Sequence, residues 1–477
     1  MFAMTNLAQI HAMLPGSQLI NISGADAQQL TISKVGSDSR QISAGELFIT
    51  LSGERFDAHD FLLDVAKAGA SAALISKQEK CPENLAAVCV TDTRVGLAAL
   101  AKAWRKQYSI PVALVTGSNG KTTVKEMIAS IFKAAVGDER TLVTKGNLNN
   151  DIGLPLTLLR MRSSDRLAVI ELGMNHPGET AQLADIAAAN IALINNAQRE
   201  HQEFMGTVHA VAQENGCAIA ALSSDGVAVF PAHDEFSAVW QSLAGQRRCI
   251  RFSMQNQPNG AEVYLLQAQW RKDHWDITAR TPGGDLSAQL HIAGRHNISN
   301  ALAATAAALG AGVSLAHIAQ GLNSFEPVKG RSRAFGIEHS GKTIAGVDDT
   351  YNANPDSVRA AIDVLAELPA PRVLVLGDMG EVGDQGREFH QEVGHYAKQQ
   401  GMDHVLCLGD LTQHTADAAG ALAEHFEDIA QLNARVLALL PTVSSVLVKG
   451  SRFMKMERVV QTLEAADQTK KETNPCC

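Results

Sequence analysis

The stretch that most constrains this chain is IPVALVTGSNGKTT, at residues 110–123. Residues 110–115 form a short, β-branched apolar run, which is typical of a buried parallel strand. A glycine-containing turn follows, then Lys-Thr-Thr and the stretch VKEMIASIFKAA, whose apolar residues recur at helical spacing. Strand, glycine-rich turn, Lys-Thr and helix together predict a phosphate-binding loop, in which backbone N–H groups and a helix N-terminus bind phosphate oxygens.

The loop predicts a role for each of its polar groups. The Lys121 ammonium would bind the β- and γ-phosphates of a nucleotide, and the Thr122 hydroxyl would ligate Mg²⁺. The spacing departs from the general pattern, because two residues rather than four separate the glycines. An ordinary strand–turn–helix with a coincidental Gly-Lys-Thr is therefore the alternative. The predicted nucleotide-binding residues of the loop are Gly117, Ser118, Asn119, Gly120, Lys121, Thr122 and Thr123.

Length and charge restrict the class of protein. A chain of 477 residues is too long for one core and predicts about three domains. The net charge of -9 argues against a nucleic-acid partner, whose binding surface is basic. No run approaches 18 apolar residues, so no membrane insertion is expected. The seven scattered cysteines contain no Cys-x-x-Cys pair, which fits a cytoplasmic protein without a zinc site or a disulfide framework.

The order of apolar runs predicts an α/β protein of three domains. Residues 1–82 form a small α/β domain. Residues 83–326 alternate strand and helix, which predicts a phosphate-loop-type, mostly parallel sheet; four strands within 248–292 are expected to add an antiparallel ribbon. Alternation restarts in residues 327–477, as in a Rossmann-like, doubly wound domain. The polar tail from about residue 466 to 477 is expected to be disordered.

Two residues near strand ends are candidates for metal or catalytic chemistry. Glu171 ends the apolar run LAVIEL, and a carboxylate at the carboxyl end of a parallel strand beside a phosphate loop is a natural Mg²⁺ ligand. His201 follows the next strand, where a ligand and a structural histidine are equally good interpretations. The residues alone thus predict a cytoplasmic enzyme that uses Mg²⁺ and a nucleoside triphosphate, with an unidentified acceptor.

Motifs along nearly the whole chain resemble those of the Mur ligases of bacterial cell-wall synthesis. They are, in order, TGSNGKTT, NNDIGLP, ELGMNHPGE, GRHNISNALAA, GRSR, DDTYNANPDS, GDMGEVG and KGSR. The set is most similar to the member that joins D-alanyl-D-alanine to UDP-N-acetylmuramoyl-tripeptide. The resemblance implies an ATP-dependent amide ligase that works through an acyl phosphate, and we expect it to be a monomer.

The resemblance also implies roles for individual residues. Lys121, Glu171 and His201 would be catalytic, with Thr122 and Glu171 on one Mg²⁺ and His201 on a second. Asn300 would contact the adenine of ATP, Arg331 its phosphates and Asp349 its ribose. Substrate would bind through residues of all three domains: Ser37, Asp38, Ser39 and Arg40 at the uridine diphosphate, Asn147, Asn149 and Asn150 along the muramoyl-peptide channel, and Asn352 and Asn354 at the adenine or the acceptor.

One departure from the family pattern and two alternatives stay open at this point. Many Mur ligases carry a carbamylated lysine some fourteen residues past the histidine, where this chain has Asn215. The second metal is then either absent or bound by Glu214. The alternatives are a sister ligase that adds a diamino acid to the dipeptide precursor, which the lack of an Asp-Asn-Pro-Arg segment disfavours, and an ATP-binding protein without catalysis.

Overall fold

The structure is a computed structural model that describes residues 3–53, 56–257, 259–271, 273–339 and 341–468. Three β-sheets of mixed α/β architecture follow one another along the chain, together with a two-stranded pairing near the N-terminus. The elements of the first unit are β1 (Thr5–Asn6), α1 (Leu7–Ala12), β2 (Gln18–Ile20), α2 (Gly24–Gln29), β3 (Thr31–Ile32), β4 (Lys34–Gly36), β5 (Glu46–Ile49), α3 (Leu62–Lys67), β6 (Ala72–Ile75) and β7 (Ala86–Cys89).

The first sheet has the strand order β2-β7-β6-β5-β4. Its strands β4 to β7 are parallel, and β2 lies antiparallel to β7. The domain boundary predicted at residue 82 therefore falls too early, because β7 follows it and is hydrogen-bonded inside this sheet. Residues 81–85, which contain Pro82, form a turn that leads into β7.

The second unit carries the largest sheet. Its elements are α4 (Thr93–Arg105), β8 (Val112–Thr116), α5 (Lys121–Val136), β9 (Thr141–Val143), α6 (Gly153–Leu158), β10 (Leu167–Glu171), α7 (Glu179–Ala187), β11 (Ile191–Ile194), α8 (Gln202–Met205), α9 (Val208–Ala220), β12 (Val227–Pro231), α10 (Ser237–Ala244), β13 (Arg248–Ser253), β14 (Val263–Trp270), β15 (Trp275–Thr281), β16 (Gly284–Leu290), α11 (His296–Gly310) and α12 (Leu315–Asn323).

The strands of this sheet lie in the order β16-β15-β14-β13-β12-β11-β8-β10-β9. Six adjacent strands are parallel, in the order β13-β12-β11-β8-β10-β9. Strands β14, β15 and β16 form the predicted antiparallel addition. One expectation was wrong: β13 pairs in parallel with β12, and β14 begins parallel to β13, so the ribbon starts later than the sequence suggested. A strand's partner depends on where its preceding helix returns the chain, which strand residues do not encode.

Alternation along the central strand β8 builds two apolar layers. Val112 and Leu114 pack into one core cluster, whereas Ala113 and Val115 pack into the cluster on the opposite face, and all four side chains are fully buried. The second cluster contains the apolar face of α5 together with α11 and α12. Because β8 lies between β10 and β11, its carboxyl end is a point where the connections diverge, which in open α/β sheets is the place of the ligand crevice.

The third unit is doubly wound. Its sheet has the order β17-β18-β22-β19-β20-β21, parallel except for β17, with apolar clusters on both faces. Its elements are β17 (Arg333–His339), β18 (Lys342–Asp349), α13 (Pro355–Ala366), β19 (Arg372–Gly377), α14 (Gly386–Gln399), β20 (His404–Leu408), α15 (Thr412–Ala419), β21 (Ala423–Phe426), α16 (Ile429–Leu439), β22 (Ser445–Lys449) and α17 (Glu457–Gln468).

These sheets confirm the predicted fold class of three α/β units. The tail predicted to be disordered from about residue 466 lies outside the described residues beyond 468, and residues 466–468 themselves are the last ones of α17. Within the described part of the chain, no helix combines the length and the apolar character that crossing a membrane requires.

Candidate active site

The carboxyl edges of the second and third sheets line a common cavity of about 1250 Å³. It lies where β8, β10 and β11 end on one side and where β18, β19 and β22 end on the other. Most of the residues predicted for the site line this cavity: Ser118, Asn119, Gly120, Lys121, Thr122, Thr123, Asn147, Asn149, Asn150, Glu171, His201, Asn300, Arg331, Asp349, Asn352 and Asn354.

The glycines of the phosphate loop are required by close approach. Gly117 has φ of +124°, and a Cβ there would lie 2.9 Å from the backbone nitrogen of Asn195. Gly120 has φ of +80°, and its Cβ would lie 2.7 Å from Oδ1 of Asn300. Both positions combine a left-handed backbone with no room for a side chain, so only glycine fits.

The loop is tied to the segment that follows β11. The amides of Ser118 and Asn119 donate to the carbonyl oxygen and to Oδ1 of Asn196, at 3.1 and 2.8 Å. These two amides are therefore used within the protein. The first amides of α5 have no intrahelical acceptors, so they are the groups that the loop offers to a phosphate.

Lys121 lies over its own loop. Its Nζ donates to the carbonyl oxygens of Gly117 and Ser118, at 2.6 and 3.1 Å, and to Oε2 of Glu200 at 3.0 Å. The side chains of Lys121 and Glu200 are 17% and 7% exposed, so the ion pair is largely shielded from water. A phosphate that binds Lys121 has to compete with this carboxylate.

Glu171 ends β10 beside the first turn of α5. Its Oε1 accepts hydrogen bonds from Oγ1 of Thr122 at 3.3 Å and from Nδ2 of Asn149 at 2.8 Å. Its Oε2 is buried and has no hydrogen-bond partner among the described residues. A hydroxyl and a carboxylate with a free oxygen are hard oxygen donors, so the residues present fit Mg²⁺.

His201 lies at the boundary between the second and third units. Its Nδ1 is 2.8 Å from Oε2 of Glu381, and this contact holds the pKa of Glu381 below its usual value. In the neighbouring helix α9, Glu214 already accepts hydrogen bonds from the backbone, and its role as a ligand of the second metal stays a prediction. Both oxygens of Glu214 accept from the amides of Gly178 and Thr180 at the start of α7, and Asn215 accepts from Oγ1 of Thr116.

Asp349, at the end of β18, is held by a buried cation. Its Oδ2 lies 2.5 Å from Nζ of Lys449, and its Oδ1 accepts from the amide of Ser332 at 3.0 Å. Burial acts to raise the pKa of Asp349, but the Lys449 ammonium outweighs it and the pKa lies below its ordinary value. Asp349 is therefore ionised near neutral pH. Lys449 also donates to the carbonyl oxygen of Asn352.

Arg331 reaches across to the phosphate loop. Its guanidinium stacks on the ring of Tyr351 with 3.9 Å between Cζ and the ring centroid, and Nη2 donates to Oγ1 of Thr122 at 3.3 Å. Its buried Nε has no hydrogen-bond partner among the described residues. The arrangement places a fixed positive charge from the third unit beside the loop of the second.

Two further contacts join these units. The side-chain amides of Asn119 and Asn354 hydrogen-bond each other, at 2.9 and 3.4 Å, while Asn354 also caps α13. Arg199 forms ion pairs with Asp356 at 2.6 Å and with Glu392 at 2.7 Å. These contacts hold the second and third units together, so that both of them line the cavity.

Asn300 lies behind residues 117–120 and is linked to them through Asn195. Its Oδ1 accepts from Asn195 and its Nδ2 donates to Asn297, both at 2.8 Å, so the side chain is used on both ends. Its predicted contact with adenine stays a prediction.

The four residues predicted at the uridine diphosphate end are not among those that line the cavity: Ser37, Asp38, Ser39 and Arg40. Arg40 instead forms a two-pronged ion pair with Asp38 in the same turn, with both distances 2.9 Å. Gly117 is also absent from the lining, because it lies against the segment behind the loop.

The structure adds site residues that the sequence analysis did not assign. Most of them lie in polar segments that follow strands, as NNAQRE follows β11, whereas Lys449 is the last residue of β22 and Asp356 lies in the first turn of α13. Applying the strand-end rule to every strand of both sheets would have pointed to these segments. The added residues are Asn195, Asn196, Arg199, Glu200, Tyr351, Asp356, Glu381 and Lys449.

Comparisons with known proteins agree with this arrangement. Family models match three successive segments: "Mur ligase family, catalytic domain" at residues 31–108, "Mur ligase middle domain" at 115–308 and "Mur ligase, glutamate ligase domain" at 335–452. The UDP-N-acetylmuramoyl-tripeptide–D-alanyl-D-alanine ligase of Escherichia coli (strain K12) is 40% identical over 454 residues, which are 94% of this chain and 98% of the relative.

Solved structures give the same result. The crystal structure of MurF from Acinetobacter baumannii has a TM-score of 0.87 and 32% identity, and the alignment covers 96% of this chain and 99% of that one. MurF ligase from Thermotoga maritima, solved in complex with ADP, has a TM-score of 0.78 at 24% identity, which shows the shared fold; the alignment covers 92% of this chain and 99% of that one. On the three matched domains and the identity across nearly its full length, the chain belongs to the Mur ligase family.

Proposed function

We propose that this protein joins D-alanyl-D-alanine to UDP-N-acetylmuramoyl-tripeptide at the expense of ATP, giving UDP-N-acetylmuramoyl-pentapeptide, ADP and phosphate for peptidoglycan synthesis. The observation that carries the proposal is the shared cavity, in which the phosphate loop of the second unit meets Arg331 and Asp349 of the third. The relative from Escherichia coli, whose name states this activity, supports it over 94% of the chain.

The reaction consists of two displacements. A carboxylate oxygen of the tripeptide attacks the γ-phosphorus of ATP, and the bond to the β-phosphate oxygen breaks to release ADP. The amine of D-alanyl-D-alanine then attacks the acyl carbon, phosphate leaves and the nitrogen loses a proton, which forms the amide. Charge accumulates on the phosphoryl oxygens during the first step, so positioning and positive charge are the main contributions of the protein.

The residues of the cavity fit these requirements. Lys121 would leave Glu200 to bind the β- and γ-phosphates, while Arg331 neutralises phosphate charge and Asp349 accepts from the ribose hydroxyls. Thr122 and Glu171 would hold Mg²⁺, which supplies charge neutralisation on the phosphate oxygens. Asn300 would contact the adenine, although its amide already supports the loop.

The remaining assignments concern the peptide substrates. Asn147, Asn149 and Asn150 lie in the cavity wall next to Glu171 and would contact the muramoyl peptide. Asn352 and Asn354 would lie at the acceptor or the adenine, and the first unit would hold the uridine diphosphate through Ser37, Asp38, Ser39 and Arg40. We propose a cytoplasmic monomer, because ATP is a cytoplasmic substrate and one chain supplies both sides of the cavity.

Phosphate release from ATP tests the proposal. The assay contains UDP-N-acetylmuramoyl-tripeptide, with or without D-alanyl-D-alanine, and mass spectrometry identifies the product. Turnover that requires all three substrates and yields the amide is the expected result. Turnover of the dipeptide precursor with a diamino acid would instead identify the sister ligase, and bound ATP without turnover in any mixture would identify a binding protein.

A further inference from the structure

Two buried glutamates flank the phosphate loop, one on each side of β8. Glu171 lies on the β10 side beside Thr122, and Glu200 lies on the β11 side beside Lys121. One oxygen of each carboxylate, Oε2 of Glu171 and Oε1 of Glu200, is buried without a hydrogen-bond partner among the described residues. Because an unpaired buried carboxylate oxygen costs free energy, such an atom indicates a position where a cation or a donor binds.

The charge balance at Glu200 changes when a nucleotide binds. Its carboxylate is 7% exposed and pairs with the Lys121 ammonium. A β- or γ-phosphate that takes this ammonium leaves Glu200 shielded from water and next to a second anion. Two anions in such a site repel each other strongly. A cation bound between them would offset this repulsion and would give the unpaired oxygen of Glu200 a partner.

Other nearby groups are less suited to hold that cation. Both oxygens of Glu214 are used at the start of α7. Asn215 is fully buried, its Oδ1 accepts from Thr116 at 2.7 Å, and its amide carries no charge. Glu381 belongs to the third unit and is paired with His201. Among these acidic and amide groups, Glu200 alone combines a negative charge, burial and an unpartnered oxygen.

We propose that Glu200, the residue before His201 in the sequence, is a ligand of a second divalent cation that binds together with the nucleotide phosphates. The inference deepens the proposed function and rests on it. Glu200 then has two partners in turn: Lys121 before the nucleotide binds, and the cation afterwards. The first ion is the one that Thr122 and Glu171 would hold.

Counting bound Mn²⁺ by electron paramagnetic resonance tests the assignment. The full chain is titrated with Mn²⁺ in the presence of an ATP analogue with a nitrogen in its β,γ bridge. The wild-type protein is expected to bind two ions per chain with dipolar broadening between them. Glu200→Gln should bind one ion without that broadening. Glu203→Gln, which removes the same charge from an exposed position three residues later in α8, should still bind two.

Equal ion counts in the wild type and in Glu200→Gln would overturn the inference, since Glu200 would then serve only as the partner of Lys121. Glu200→Asp is measured as well, because it keeps the carboxylate and is less disruptive to the fold. It should bind the second ion with a dissociation constant raised several-fold, and an unchanged constant would also overturn the inference. Fluorescence of a labelled nucleotide is followed separately: a wild-type chain that does not bind nucleotide refutes the proposed function itself, whereas bound nucleotide with equal ion counts refutes only the role of Glu200.

Discussion

Arg199 provides the strongest test of how the second and third units act together. Its guanidinium forms two-pronged ion pairs with Asp356 and Glu392, and its backbone amide also donates to Asp356. We predict that Arg199→Ala shifts the equilibrium between contacting and separated units towards separation. The phosphate loop and Asp349 belong to different units, so separation should also weaken nucleotide binding.

The size of the effect follows from the charges. The Arg199 guanidinium, together with Arg359 of the same unit as Glu392, holds the pKa of Glu392 at about 2 instead of 4.5. At about 1.36 kcal/mol per pKa unit this corresponds to ~3 kcal/mol before screening. Glu392 is about one-third exposed and Arg359 contributes part of the effect, so we assign about 1 kcal/mol to its bond with Arg199. A similar contribution from Asp356 gives about 2 kcal/mol, or a ~30-fold change in the equilibrium.

The sign of the pH dependence is fixed by the same pair. Because the pKa of Glu392 is depressed when the units are in contact, its contribution is fully present above its ordinary value of 4.5. The contribution is lost as the pH falls from there towards 2. Contact between the units should therefore include the full contribution of Glu392 near neutral pH and should not change with pH there, whereas the wild type should approach Arg199→Ala in acid.

X-ray scattering measures the effect as the radius of gyration during titration with an ATP analogue. The midpoint of compaction should move to a concentration up to ~30-fold higher in Arg199→Ala. Arg435→Ala is the matched control, because Arg435 forms a two-pronged pair with Glu424 entirely within the third unit. A midpoint in Arg199→Ala equal to that of the wild type and the control would refute the reasoning.

Three further changes test the loop and its supports. Lys121→Ala should lower phosphate release at least a hundredfold, roughly the effect of losing one charge-stabilising group, with a native circular dichroism spectrum; retained activity would reject the phosphate-loop assignment. Gly321→Ala should lower the free energy of unfolding measured in urea by ~2 kcal/mol, because the added Cβ would lie 2.3 Å from the backbone of α5. Gly24→Ala is the control, because its added Cβ meets open space and the free energy of unfolding should not change. Lys449→Met leaves Asp349 without its cation and should lower the stability of the protein by ~3 kcal/mol, measured by thermal unfolding. Adding Asp349→Asn should restore part of the lost stability. An unchanged melting temperature in Lys449→Met would show that the ion pair does not stabilise the fold.

Local sequence patterns were sufficient to predict the fold class of this chain. Strand β8, the glycine turn and helix α5 could be predicted because an apolar run, a glycine turn and helical spacing are properties of a few adjacent residues. The phosphate loop was therefore assigned from residues 110–123 alone. The antiparallel addition was also predicted, but the strand that begins it was not, since β13 turned out to be parallel to β12.

Prediction of the site was less complete, because its contacts join residues far apart in the chain. Lys121 meets Glu200 across 79 positions and Thr122 meets Arg331 across 209. Glu171 and His201 could be selected because Glu171 ends one strand and His201 follows the next one. Glu200, directly before His201 in the sequence, was not selected. Burial distinguishes it, and burial is not visible in one sequence.

The sequence by itself determined the strand, glycine turn and helix at residues 110–136, on which the phosphate-loop prediction rests, and, through its motifs, the family to which the chain belongs. Only the tertiary structure decided which charges neutralise each other: Glu200 on Lys121, Lys449 on Asp349, and Arg199 across two units. The physical reason is that backbone conformation depends on neighbours in the chain, whereas the cost of a buried charge depends on every group packed around it.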